Sequence, residues 1–258
     1  MKKVLIIILI FLALNLGLGT VLSMITGEPE YPLEYGIEIG YKLLLIAGVL
    51  YVVYKTKVEL VLWNKKYLFW VISLGLVYLA VNSLSDKTAE IPLLNHTLFF
   101  MVCVTVAIFE EYLFRVYVFD ALLKVYTPKK MIRVILITSA LFALAHGGNA
   151  LRPGVHIYGV IVQIVFAFGI GIFLQALLFR FKNVILIITI HALINYLGSY
   201  KSQLLFLERV AEEYTLNDFI MSLGIMMGMN IVIVLPISYL LLQPLFKAKN
   251  SSPTKELT

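Results

Sequence analysis

Two adjacent carboxylates, one guanidinium and two imidazoles sit inside apolar stretches of this chain: Glu110, Glu111, Arg115, His146 and His191. An ionisable group placed in a bilayer core costs at least ~2.5–3.5 kcal/mol on insertion scales, so such groups read as functional by default. Their spacing is informative. Glu111 and Arg115 are i, i+4 and share a helix face, which allows an ion pair. Glu110 is turned about 100° away on an α-helix, so one carboxylate can be neutralised while the other faces a cavity. Two bare neighbouring carboxylates would repel, and one would be driven towards protonation. His191 and Asn195 share a face by the same spacing, as do Phe142 and His146. Taken alone, Glu110–Arg115 also reads as an ion-pair cluster bracing helices, His146 as a residue at a helix mouth, and His191 and Asn195 as interhelical hydrogen-bonding groups.

The elements that carry these residues are set by composition. Hydrophobic residues make up 61% of the 258, charged residues 14%, and the mean hydropathy is +0.94. A soluble domain carries about 25% charged residues, so lipid must be the solvent for most of this chain. Continuous apolarity points to helices, because barrel strands alternate. A span needs ~20 apolar residues. Eight stretches qualify approximately: Val4–Met24, Tyr35–Tyr54, Tyr67–Leu84, Ile91–Phe119, Ile132–His146, Val155–Phe181, Val184–Tyr200 and Phe219–Phe246. The expected architecture is all-α, a polytopic membrane bundle of about eight transmembrane helices. Residues 1–90 form its first three spans, 91–200 a core of four, 201–246 an outer loop with the last span, and 247–258 a polar tail. The run from Val4 is read as an uncleaved first span, being longer than a signal-peptide core and lacking an Ala-x-Ala-like site.

Fifteen of the 21 Lys and Arg residues fall in one set of loops, those around residues 2–3, 55–66, 124–133, 180–182 and 247–255. Four fall in the other set: Lys87, Arg152, Lys201 and Arg209. This asymmetry places both termini in the cytoplasm and explains the net charge of +6 without nucleic acid. The basic loop from Lys124 to Arg133 also suits anionic lipid. Lys42, inside the second span, is expected to pair with Glu38 and snorkel outwards. His96 and His156 are expected at interfaces, and Asp120 in reach of solvent. Gly169, Gly171, Gly224 and Gly228 suit close helix packing. The single Cys103 excludes a disulfide framework or a cysteine metal site. At 1.5 Å per residue, Glu110, His146 and His191 all fall within ~5 Å of mid-bilayer. Three helices thus bring a carboxylate and two imidazoles to one depth.

Glu110-Glu111-Tyr-Leu-Phe-Arg115 fits Glu-Glu-x-x-x-Arg, Phe142-Ala-Leu-Ala-His146 fits Phe-x-x-x-His, and His191-Ala-Leu-Ile-Asn195 fits His-x-x-x-Asn. In this order, over about Ile91 to Tyr200, the chain resembles the CPBP intramembrane proteases, the family of type II CAAX-prenyl proteases and bacteriocin-processing enzymes. The resemblance implies an endopeptidase acting near the cytoplasmic face on membrane-associated peptides, propeptides or protein C-termini. It makes Glu110, His146, His191 and Asn195 catalytic, with Glu111, Arg115 and Phe142 in support. Amide hydrolysis needs an activated water and a stabilised oxyanion. Glu110 can take the water's proton, His146 can orient that water, and His191 with Asn195 can donate to the oxyanion. A divalent metal such as zinc, held by Glu110, His146 and His191, and a metal-free mechanism both stand at this stage. Two other functions share the features: a non-catalytic membrane regulator or bacteriocin-immunity protein on the same scaffold, and a small transporter, against which the lack of an inverted repeat counts.

Overall fold

The computed structural model describes residues 2–26, 31–58, 92–126, 130–151, 155–204 and 215–250. The described residues are helical and include no strand. In chain order the helices are α1 (Lys2–Thr26), α2 (Tyr31–Lys55), α3 (Leu93–Glu110), α4 (Phe119–Val125), α5 (Met131–Ala145), α6 (Ile157–Phe181), α7 (Val184–Leu204), α8 (Leu216–Met229) and α9 (Leu235–Asn250). A π-helical segment, Glu111–Val118, joins α3 to α4 without a break. A shorter one, Asn230–Val234, joins α8 to α9. Five stretches are long and apolar enough to cross a membrane: Leu33–Lys55, Leu93–Val125, Met131–Leu151, Ile157–Phe181 and Leu216–Leu245. Lys3–Leu18 and Val184–Ser199 are shorter apolar helices. These seven rods match seven of the eight expected spans, and Tyr67–Leu84 lies outside the described residues.

The bundle is turned out for lipid. Ile6, Leu9, Leu44, Leu144, Ile220, Val232 and Leu240 are all exposed. Such a continuous apolar surface suits hydrocarbon and not water. Inside, the rods pack in a sequence that surrounds α3: α2 and α7 lie along it, α5 lies along α6, and α6 in turn carries α8 and α9. The central cluster joins Phe109, Phe114, Tyr117 and Leu122 from the α3–α4 rod to Leu45 and Val49 of α2 and to Ile135 and Phe142 of α5. A second cluster sets Val116 against Leu174 and Leu178 of α6 and Ile187 of α7.

The connection from α6 to α7 takes two residues. Lys182 ends α6 in the left-handed region (φ 51°), giving its N–H to the Leu178 carbonyl at 2.8 Å. That conformation is sterically costly for a residue with a Cβ, and it halts the helix as glycine usually does. Asn183 then caps α7, its Oδ1 accepting from the N–H groups of Ile185 at 2.9 Å and Leu186 at 3.2 Å. This tight, doubly capped turn fixes where α7 starts and hence the height of His191.

Two glycines on α6 let neighbours close in. A Cβ at Gly171 would meet the Ser139 side chain and Cα at 3.0–3.2 Å. A Cβ at Gly169 would lie 1.9 Å from Asn230 Oδ1, the amide at the head of the second π segment. Asn230 Nδ2 donates to the Val165 carbonyl at 2.9 Å, tying the last rod to α6. Gly224 and Gly228 have nothing within 4 Å of an added Cβ, so they mark no close helix contact among the described residues. Lys42 departs from the expected snorkelling. It is 3% exposed and gives its ammonium to Asn15 Oδ1 of α1 at 2.5 Å, over the rings of Tyr41 and Phe109, rather than snorkelling.

Candidate active site

Glu110 ends α3 and Glu111 opens the π segment, so the paired carboxylates stand at a change of helical pitch. A π turn bonds i to i+5 and recurs at functional sites. The angular offset expected for an ideal α-helix therefore does not hold beyond Glu110. The two carboxylates nonetheless separate in environment. Glu111 is fully buried, whereas the Glu110 side chain keeps 19% exposure.

Glu111 meets the predicted partner and a second one. Arg115 Nη1 lies 3.1 Å from its Oε1, with both side chains buried. His191 Nδ1 lies 2.6 Å from the same oxygen. A carboxylate only accepts, so Nδ1 carries the proton and donates. This leaves His191 Nε2 aimed at the other carboxylate, 3.6 Å from Glu110 Oε2. The imidazole thus bridges the two glutamates, bonded to the buried one and facing the half-exposed one. Sequence reasoning gave Glu111 to Arg115 alone. The missed partner lies 80 residues away on another helix, beyond any local spacing rule.

His146 sits where α5 passes into a 3₁₀ turn, His146–Leu151. Its Nδ1 donates to the Phe142 carbonyl at 2.9 Å, since a carbonyl can only accept. Neutral His146 therefore presents a lone pair at Nε2. Phe142 ties the pieces together. The Arg115 guanidinium lies 3.9 Å from its ring centroid, and both imidazoles meet it edge-on, His146 at 4.9 Å and His191 at 5.8 Å between centroids. Phe114 closes the other side at 5.4 Å. Phe142 thus packs against the guanidinium and both imidazoles, in keeping with its expected supporting place. Asn195 follows one turn after His191 on α7 and is half-buried.

Other residues singled out by sequence fall away from this cluster. Asp120 is 9% exposed and pairs with Lys124 at 2.7 Å. His96 Nδ1 meets the Tyr196 hydroxyl at 2.7 Å beside Phe99. His156 caps α6, accepting from the Tyr158 N–H at 3.2 Å. The donors expected for zinc are of a suitable kind, with Nδ1 of each imidazole engaged and Nε2 left over. Their placement does not fit a metal. Among the described residues no three His, Cys, Asp or Glu side chains gather as a metal-holding group.

The comparisons with known proteins bear on the same stretch. Residues 92–197 match the family described as type II CAAX prenyl endopeptidase Rce1-like. The match agrees with the resemblance of this segment to the CPBP proteases. No curated protein and no solved structure matches the chain. The matched segment begins at the foot of α3 and ends just beyond Asn195 on α7, so it contains every residue of the Glu110–His191 cluster. The match makes this stretch similar to CAAX-type prenyl endopeptidases. Residues outside the CPBP match still contact it: α2 lies along α3, and the last rod is tied to α6 through Asn230.

Proposed function

We propose that the chain is an intramembrane endopeptidase that hydrolyses membrane-associated peptides or protein C-termini near the cytoplasmic face, with Glu110 as the base that activates water. The observation that carries this reading is the orientation of His191, bonded through Nδ1 to Glu111 and facing Glu110 with Nε2 at 3.6 Å. That separation is long for a direct hydrogen bond and suits a water in reach of both groups. Glu110, the less buried carboxylate, takes a proton from this water. The resulting hydroxide attacks the scissile carbonyl carbon. The proton on Glu110 then passes to the departing amine as the C–N bond breaks.

The other groups follow from their hydrogen-bond capacity. His146, with Nδ1 committed to a carbonyl, accepts from the water through Nε2 and sets its lone pair. Asn195 donates its amide N–H to the developing oxyanion. His191, held through Nδ1 by Glu111, turns Nε2 towards the same water. Glu111 and Arg115 hold His191 and contact no substrate. We infer that both termini and the mouth of the site face the cytoplasm, which rests on the basic loops around 55–66, 124–133 and 180–182. Short membrane-bound peptide precursors are the substrate class that such a site would take.

The test is the peptide content of membranes carrying Glu110→Gln, compared by mass spectrometry with those carrying the unaltered chain. Glutamine keeps the size and removes the base. Uncut precursors should accumulate while the protein remains at normal abundance. An unchanged peptide profile overturns the proposal, and loss of an ion or solute flux instead would make the chain a carrier.

A further inference from the structure

Behind the Glu111–His191 bond lies a set of buried polar atoms with no hydrogen-bond partner among the described residues. They are Glu111 Oε2, Arg115 Nη2, Ser139 Oγ and Gln175 Oε1, with Arg115 Nη1 already ion-paired to Glu111 Oε1 at 3.1 Å. The residues are 0%, 1%, 2% and 1% exposed, respectively. Buried polar groups are nearly always satisfied, by protein or by internal water, so four such residues together require an explanation.

Their placement converges. The Arg115 guanidinium lies over the Phe142 ring, and Ser139 precedes Phe142 by about one turn on α5. Gly171 of α6 touches Ser139, and Gln175 stands one turn beyond Gly171 on the same helix, in its buried face. Three rods therefore contribute to one level of the bundle, next to the site and away from lipid. The chemistry chooses the occupant. The set leaves donors on Arg115 and acceptors on Glu111, Ser139 and Gln175. A cation is repelled by Arg115, and an anion by Glu111 and the Gln175 carbonyl oxygen. Water donates and accepts at once, and an internal water typically makes about three such bonds.

We propose that Arg115, Glu111, Ser139 and Gln175 enclose an internal water site, and that Ser139 and Gln175 are positioning residues acting on Glu111 through it. The bridging water joins α5 and α6 to the group that orients His191. This site is separate from the water that Glu110 activates, and it stands whether or not the chain is a protease.

X-ray radiolysis of the purified full chain in lipid nanodiscs tests it, because bound water yields hydroxyl radicals in place that oxidise the adjacent ring. Phe142, only 2% exposed, should be oxidised in the unaltered protein. In Gln175→Leu and in Ser139→Ala its oxidation should fall several-fold. An unlabelled Phe142, or equal labelling in all three proteins, overturns the proposal. Thermal unfolding gives a second reading that needs no cleavage assay. If Gln175 is hydrated, Gln175→Leu lowers the melting temperature. A dry, unbonded Gln175 would make the same change stabilising, and that outcome also overturns the proposal.

Discussion

Replacing Arg115 by Met keeps most of the side-chain stem and removes the charge. Glu111 is fully buried, and Arg115 and His191 are the partners seen at its Oε1. Breaking a buried pair by deleting one member costs about 3–5 kcal/mol, because the survivor stays buried and charged. Loss of the guanidinium from the face of Phe142, 3.9 Å away, adds to this by up to about 2 kcal/mol for a desolvated contact. The short bond from His191 opposes both terms by holding the orphaned carboxylate. A net cost of about 3–5 kcal/mol follows, which at ~2–4 °C per kcal/mol for a chain of this size lowers the melting temperature by roughly 6–20 °C. The assay is thermal unfolding of the purified chain in detergent, with Glu111→Gln/Arg115→Met alongside. The double variant removes both charges and should recover part of the loss, with a coupling of about 0.5–3 kcal/mol. If the single variant melts like the parent, or the double variant melts no higher than the single, the ion pair does not carry the stability assigned to it.

Glu110→Gln should lower cleavage of a membrane peptide by about 10²–10⁴-fold, the usual worth of a general base, with melting unchanged because this side chain is part-exposed. Purified protein and a fluorogenic membrane peptide give the rate, and residual activity within tenfold of the parent removes Glu110 from the role of base. Gly169→Ala places a methyl on the Asn230 amide and should destabilise by about 1–3 kcal/mol, as overpacking does. Gly169→Ala/Asn230→Ala should melt higher than Gly169→Ala alone, and a double variant that melts lower would refute the contact. Cysteines introduced at Lys57 and Lys130 on a Cys103→Ser background should react with an impermeant thiol reagent only from the cytoplasmic side. Labelling of intact cells from outside would invert the topology and the inferred side of cleavage.

What the sequence disclosed depended on distance along the chain. The apolar runs showed the rods, because length and composition suffice to mark a span. Arg115 showed itself as the partner of Glu111, because four residues on one helix are always neighbours. His191 did not, since its bond to Glu111 exists only after α7 has packed along α3. Nothing in Glu-Tyr-Leu-Phe-Arg-Val-Tyr-Val announces a π segment, as bulky residues fit either pitch. Lys42 looked like a residue that reaches for the interface, yet Asn15 offers its ammonium a partner inside the bundle. Gly169 was legible as a packing glycine, but the Asn230 amide that fills its gap comes from a segment three elements later.

The order in which the ribosome delivers these residues gives the Glu111 pairings a meaning for biogenesis. Glu111 enters the membrane with Arg115 already beside it on the same rod, so the charge travels in neutralised. His191 arrives 80 residues later. Until α7 docks, Glu110 stands in a helix without the imidazole that faces it in the finished bundle. A chain halted or clipped before Val184 thus carries the carboxylates and lacks that imidazole. On the proposed mechanism, a nascent or damaged copy is inert towards the peptides around it, and cutting begins only once the core helices have assembled.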